Sequence, residues 1–215
     1  MLYYGQCHQD KFVTQVLKNK ECGYFVEIGS NAPITYNNTY LLESKYNWKG
    51  IMIEYDNSFL SEYKIIRKNS IHVINDATKI DYKLLFLNNN ISKNLDYLQI
   101  DLEVNNGSTL KTLEKLDMEI FDEYKFAVIT FEHDIYHTNY LNTREKSREI
   151  LINRGYIGVF YDIHNIDPKY PFEDWYVHPD LVDMEYITNL IDKNKKNYVN
   201  NCITQQSINW QSIDY

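Results

Sequence analysis

Six short apolar runs, spaced along the chain and separated by helix-forming sequence, constrain the fold most. They cover residues 24–28, 50–54, 71–75, 96–101, 125–132 and 156–162. Several are continuous rather than alternating, the pattern of strands covered on both faces. Helical periodicity falls before and between them, at 10–19, 39–46, 57–67, 81–87, 108–116 and 142–155, the last closing on the helix-stopping Gly155. Asn38 or Thr39 is available to cap the second helix. Strand–helix alternation predicts an α/β fold built on a mainly parallel sheet. "DWYVHP" at 174–179 supplies a last, seventh strand.

Open α/β sheets bind ligands at the carboxyl ends of their strands. Four runs end on or beside an acid: Glu27, then Glu54, Asp76 and Asp101, at intervals of 27, 22 and 25 residues. One acid alone reads as the partner of a following helix N-terminus. Four in register, with Gly29 turning the chain after the first, read as a ligand site. The turn has a single glycine, with Asn31 where a dinucleotide loop needs its second and Pro33 stiffening the backbone two residues later. That favours a ligand with no pyrophosphate, and Glu27 favours a cationic one. S-adenosylmethionine, with its sulfonium and ammonium, fits both conditions better than NAD. An acid after the second strand suits the ribose hydroxyls, and Asp76 suits the adenine amino group.

Composition narrows the class. The 215 residues suit one domain, with 44% hydrophobic and 24% charged residues, enough for a packed core. The division expected is a catalytic domain over 1–187 and a polar extension over 188–215. A net charge of -8 argues against broad binding to nucleic acid or an anionic membrane. The first ten residues lack the pattern of a signal peptide, no apolar stretch spans a bilayer, and Cys7, Cys22 and Cys202 form no CxxC pair. The expectation is a soluble cytoplasmic protein with free thiols and no membrane insertion.

Several motifs in order carry a family resemblance from about residue 3 to residue 180. "YGQCHQDKFVTQVL" resembles an opening of the FkbM-type S-adenosylmethionine-dependent methyltransferases, with Gly5 where Ser is usual and Gln6 and Asp10 retained. "GYFVEIGSNAPITYNNTYLLESKYNWKGIMIEYD" resembles their glycine turn, Asn-Thr helix start and Trp-Lys-Gly entry to an acid-ended strand. "IIRKNSIHVINDAT", "LDYLQIDLEVNN", "ITFEHD" and "EDWYVHP" continue the likeness. Two departures fall in the turn, Ala32 where the family often has Asp and Pro33 where Gly is common.

The resemblance implies a Rossmann-like class I methyltransferase fold, a mostly parallel seven-stranded sheet flanked by helices. It implies methyl transfer to a hydroxyl of a sugar, glycan or related small molecule. It implies donor contacts from Gln6, Gly29, Ser30, Asn31, Thr39 and Ala77 beside Glu27, Glu54, Asp76 and Asp101. A sugar hydroxyl needs a base or a metal. The candidates after strands 4 and 5 are Asp101, Glu103, Glu132, His133 and Asp134, with His133 leading because its ordinary pKa lies near neutrality. The same acids would also suit Mg²⁺. His8, His178, Trp175 and Tyr176 are further candidates for an acceptor pocket. The rival reading is a non-catalytic module that retains the donor pocket. Methylation of nucleic acid is disfavoured, since "DLEV" stands where an Asn-Pro-Pro-aromatic motif would.

Overall fold

The computed structural model describes residues 2–165, 167 and 169–200. Its elements run α1 (Gln9–Val16), β1 (Tyr24–Ile28), α2 (Tyr40–Tyr46), β2 (Lys49–Glu54), α3 (Leu60–Ile66), β3 (Ser70–Ile74) and α4 (Tyr82–Asn88). There follow β4 (Asn94–Ile100), α5 (Ser108–Glu119), β5 (Lys125–Glu132), α6 (Leu141–Asn153), β6 (Ile157–Ile163), β7 (Glu173–Val177) and α7 (Met184–Asn200). The seven strands form one sheet in the order β3-β2-β1-β4-β5-β7-β6. All neighbours are parallel except that β7 runs antiparallel to both β5 and β6. This is the Rossmann-like sheet expected.

Both faces of the sheet are covered, which explains the unbroken apolar strands. On one face Phe25, Tyr97 and Trp175 pack with Phe12 and Val13 of α1, Leu42 of α2 and Ile187 of α7. On the other, Val26, Ile51 and Leu98 pack with Phe86, Leu113 and Leu151 of α4, α5 and α6. Phe12 stacks on Trp175 with ring centroids 4.7 Å apart, so a large-to-small change there would cost about 3–5 kcal/mol.

The structure adjusts several expected boundaries. α1 ends at Val16 rather than 19, because Lys18 and Asn19 take left-handed backbone, with φ of 52° and 55°. Gly155, at φ 85°, does follow the end of α6 as a left-handed stop. Thr39 sits at the start of α2 but makes no side-chain cap there. α7 runs across the expected 187/188 division, with Ile187 and Leu190 in the core; residues 201–215 lie outside the described residues. No described helix is long and apolar enough to cross a membrane. Cys7 and Cys22 are free thiols, and Cys202 lies outside the described residues.

Candidate functional site

Strand order reverses between β1 and β4, and the crevice at such a point is where open α/β sheets take ligands. A cavity of about 620 Å³ opens there. Glu27, Gly29, Ser30 and Asn31 line it from the end of β1, Glu54, Tyr55 and Asp56 from β2, Gln99, Asp101 and Glu103 from β4, and Glu132 and Asp134 from β5. Gln6, ahead of α1, and Asn38, just before α2, line it as well.

Gly29 has a structural reason to be glycine. Its φ is 86°, and a Cβ there would lie 1.8 Å from the carbonyl oxygen of Asp101. The turn after β1 therefore packs directly on the end of β4. Asn31 follows in left-handed backbone, φ 49°, and donates its N–H to Glu54 Oε2 at 2.8 Å. Glu54 Oε1 accepts from the backbone of Tyr55 and Asp56 at 2.8 and 2.9 Å.

Arg67, fully buried, holds the rest of the loop. It donates to Glu43 (2.8 Å), Asn37 Oδ1 (2.8 Å), Thr39 Oγ1 (2.7 Å) and Pro33 O (3.4 Å), and lies 3.9 Å from Glu27. Tyr63 also donates its hydroxyl to Asn31 O.

The carboxylates carry unusual proton affinity. Burial pushes Glu27 up to about 7, against the opposing pull of Arg67 and Asn37. Burial raises Asp101 and Asp134, and raises Glu132 well above its ordinary value, with Asp101 adding to it. The two carboxyls act on each other in opposite directions, Glu132 lowering Asp101 and Asp101 raising Glu132, so Asp101 is the readier of the two to ionise. Gln99, 1% exposed, bonds Asp101, but its Oε1 has no hydrogen-bond partner.

The cavity gathers Gln6, Glu27, Gly29, Ser30, Asn31, Glu54, Asp101 and Glu103 of the residues expected at the site. The candidates Glu132 and Asp134 line it too, and the remaining expected residues lie elsewhere. Thr39 is buried beneath the loop as an acceptor for Arg67. Asp76 is committed to its own turn, accepting from Thr78 N and Oγ1 at 3.0 and 2.7 Å and pairing with Lys79 at 2.9 Å. These bonds hold it down at about 2. Ala77 is in the core.

His133 is fully buried and does not line the cavity. Its Nδ1 accepts from Ile135 N at 3.2 Å, so Nε2 carries the proton and faces Asp174 Oδ1 at 3.2 Å. Trp175 and Tyr176 are core residues, and neither they nor His8 and His178 line the cavity. Sequence reasoning missed Gln99 and Tyr55. Their signals were position: Gln99 stands opposite Glu27 in the strand register, and Tyr55 follows the acid of β2.

Among the described residues, His133, Asp162 and Asp174 are the one group of three whose ligand atoms gather closely enough for a metal. They do not fit one. Arg148 donates to Asp174 at 2.7 and 3.0 Å and to Asp162 at 2.9 Å, and Arg144 donates to both oxygens of Asp162. Among the described residues the carboxylates expected for Mg²⁺ after β4 and β5 form no such group.

No protein-family model matches the chain, and no curated protein matches it. Solved structures do. A Clostridium thermocellum protein provisionally described as an rRNA-methylase is 12% identical, with a TM-score of 0.54, over 82% of this chain and 98% of its own. Precorrin-6y C5,15-methyltransferase from Geobacter metallireducens is 15% identical, with a TM-score of 0.50, over 78% and 86%. Aeropyrum pernix fibrillarin with natively bound S-adenosyl-L-methionine is 12% identical, with a TM-score of 0.50, over 78% and 74%. The chain has the class I methyltransferase fold.

Proposed function

We propose that the chain is an S-adenosylmethionine-dependent O-methyltransferase of the FkbM type, acting on a hydroxyl of a sugar or glycan. One observation carries the reading. Among the described residues seven carboxylates line the cavity, Glu27, Glu54, Asp56, Asp101, Glu103, Glu132 and Asp134, and no Lys, Arg or His does. Such a site attracts a sulfonium and an ammonium and repels pyrophosphate and nucleic-acid phosphate. Fibrillarin, a neighbour in fold, holds this donor, which supports the reading.

Glu27, Gly29, Ser30 and Asn31 contact the donor's amino-acid end, with Gln6 above. Glu54 accepts from a ribose hydroxyl through the one lone pair on Oε2 that its three backbone bonds leave free, and exposed Tyr55 covers the adenine. In place of His133, the base is the Asp101–Glu132 pair. Burial raises both, so the ionised member is a stronger base than a surface carboxylate. The acceptor hydroxyl gives its proton to that carboxylate. Its oxygen forms a bond to the methyl carbon as the C–S bond breaks, and S-adenosylhomocysteine leaves with the electron pair. Alignment supplies the rest of the acceleration.

Calorimetry with S-adenosylmethionine tests the reading, followed by transfer of a labelled methyl group to a sugar panel. No donor binding would overturn it. Binding without transfer would favour the non-catalytic module, which the altered turn at Ala32 and Pro33 supports.

A further inference from the structure

A second cavity, of about 380 Å³, adjoins the first and shares Gln6, Glu132 and Asp134 with it. Its outer wall is aromatic. Tyr136 and Tyr170 meet edge to face with centroids 5.7 Å apart at 80°, and they are 37% and 55% exposed. Phe172 lies beside them, 8% exposed. The wall is tied together by backbone. Phe172 O accepts from His133 N at 2.6 Å and Asp134 N at 3.0 Å, and Tyr136 N donates to Pro171 O at 3.3 Å. The size is at the low end of small-molecule sites, about 300–1,000 Å³.

Two features say what chemistry fits. Among the described residues the lining again has no Lys, Arg or His, and its charged groups are Glu132, Asp134 and Asp167. Carboxylates accept hydrogen bonds when ionised, and the Gln6 and Asn165 amides and the Tyr136 and Tyr170 hydroxyls can both donate and accept, so an occupant rich in hydroxyls, which also do both, suits the lining. In the adjoining cavity the buried Gln99 Oε1 is a further acceptor with no partner, and an atom so buried calls for a donor from a ligand. A polyol brings many O–H donors. A phosphate or carboxylate brings charge of the wrong sign.

We propose that this side cavity seats the ring of an uncharged sugar, free or at the end of a glycan, and rejects sugars carrying phosphate or carboxylate. Tyr136 and Tyr170 offer flat faces to the apolar C–H face of the ring. Asp134 accepts its hydroxyls and directs one of them toward the Asp101–Glu132 pair. The inference rests on the methyl-transfer reading and narrows its sugar acceptor to uncharged ones.

The test measures binding to the protein saturated with S-adenosylhomocysteine by saturation-transfer NMR. The probes are methyl glycosides of glucose, galactose, mannose, xylose and rhamnose, the matching 6-phosphates and uronates where these exist, and glucosamine. At least one neutral glycoside should bind, with its anionic counterpart, or for xylose and rhamnose every anionic probe, weaker by about tenfold or more. Tyr170→Ala should weaken that sugar about tenfold and leave S-adenosylhomocysteine affinity within about twofold. Short oligosaccharides ending in the best sugar separate a free sugar from a glycan terminus.

Absent neutral binding, equal binding of an anionic sugar, an unchanged Tyr170→Ala or a marked preference for glucosamine would each overturn the proposal. Failure of S-adenosylhomocysteine to bind would instead sink the methyl-transfer reading. The same panel on the donor-free protein then still decides whether neutral sugars are selected.

Discussion

Asn31 donates its backbone N–H to Glu54 Oε2 at 2.8 Å, so the acid closing β2 holds the turn that closes β1. Glu54 accepts two further backbone bonds, from Tyr55 and Asp56. One carboxylate thus shapes two walls of the cavity before any ligand arrives, and the same group is assigned to the ribose. Glu54→Ala should weaken S-adenosylmethionine about 10- to 100-fold by calorimetry, with a loss of stability of about 1–2 kcal/mol. The stability change stays small because these backbone groups are exposed to water. Unchanged donor affinity would remove Glu54 from the site.

Arg67 is the buried keystone of the donor loop. Arg67→Met leaves Glu43 buried without its cation and Asn37, Thr39 and Pro33 without their donor. Breaking a buried pair this way costs about 3–5 kcal/mol, so thermal unfolding should drop by about 10 °C. Arg67→Lys should recover little, since one ammonium cannot reach acceptors arranged around a planar guanidinium.

Glu132→Gln should cut turnover by about 10²- to 10⁴-fold while donor binding survives, because Glu132 is assigned to the acceptor's proton. His133→Ala should behave differently. It removes the ring that faces Asp174 and destabilises the β5–β7 junction, so its damage should appear in urea unfolding before it appears in turnover per folded molecule. A His133→Ala enzyme that folds normally and has lost turnover to the same degree as Glu132→Gln would reverse the two assignments.

Stability should fall as pH rises from about 4 to 8. Burial raises Glu27 to about 7, Glu173 to about 8 and Asp10 to about 6. The folded chain therefore keeps protons that the unfolded chain releases near 4. The stability these groups contribute is complete below that range and is lost as pH climbs through the folded values. Asp76 and Asp174, held low by their partners, act with the opposite sign and only in acid. Donor binding should run the other way: affinity for S-adenosylmethionine should rise through pH 7, more steeply than for uncharged-sulfur S-adenosylhomocysteine. Melting curves and calorimetry at stepped pH check both slopes, and Glu27→Gln should flatten the step near 7.

The strands and their acids were legible in the sequence because they depend on local pattern. Residues 24–28 and 125–132 are strands with the expected bounds, and Glu27, Glu54 and Asp101 stand at strand ends that converge on one crevice. Gly29 was legible as a turn, but its reason, contact with the backbone of Asp101, lies 72 residues away. Tertiary structure decided the rest. Asp174, 41 residues from His133, faces its imidazole only because β7 enters antiparallel beside β5. That single insertion buries His133 against Asp174, outside the lining of the cavity, while its neighbours Glu132 and Asp134 line it. Periodicity tells which residues alternate along a strand. It cannot tell which distant carboxylate will meet a side chain once the strands are laid side by side.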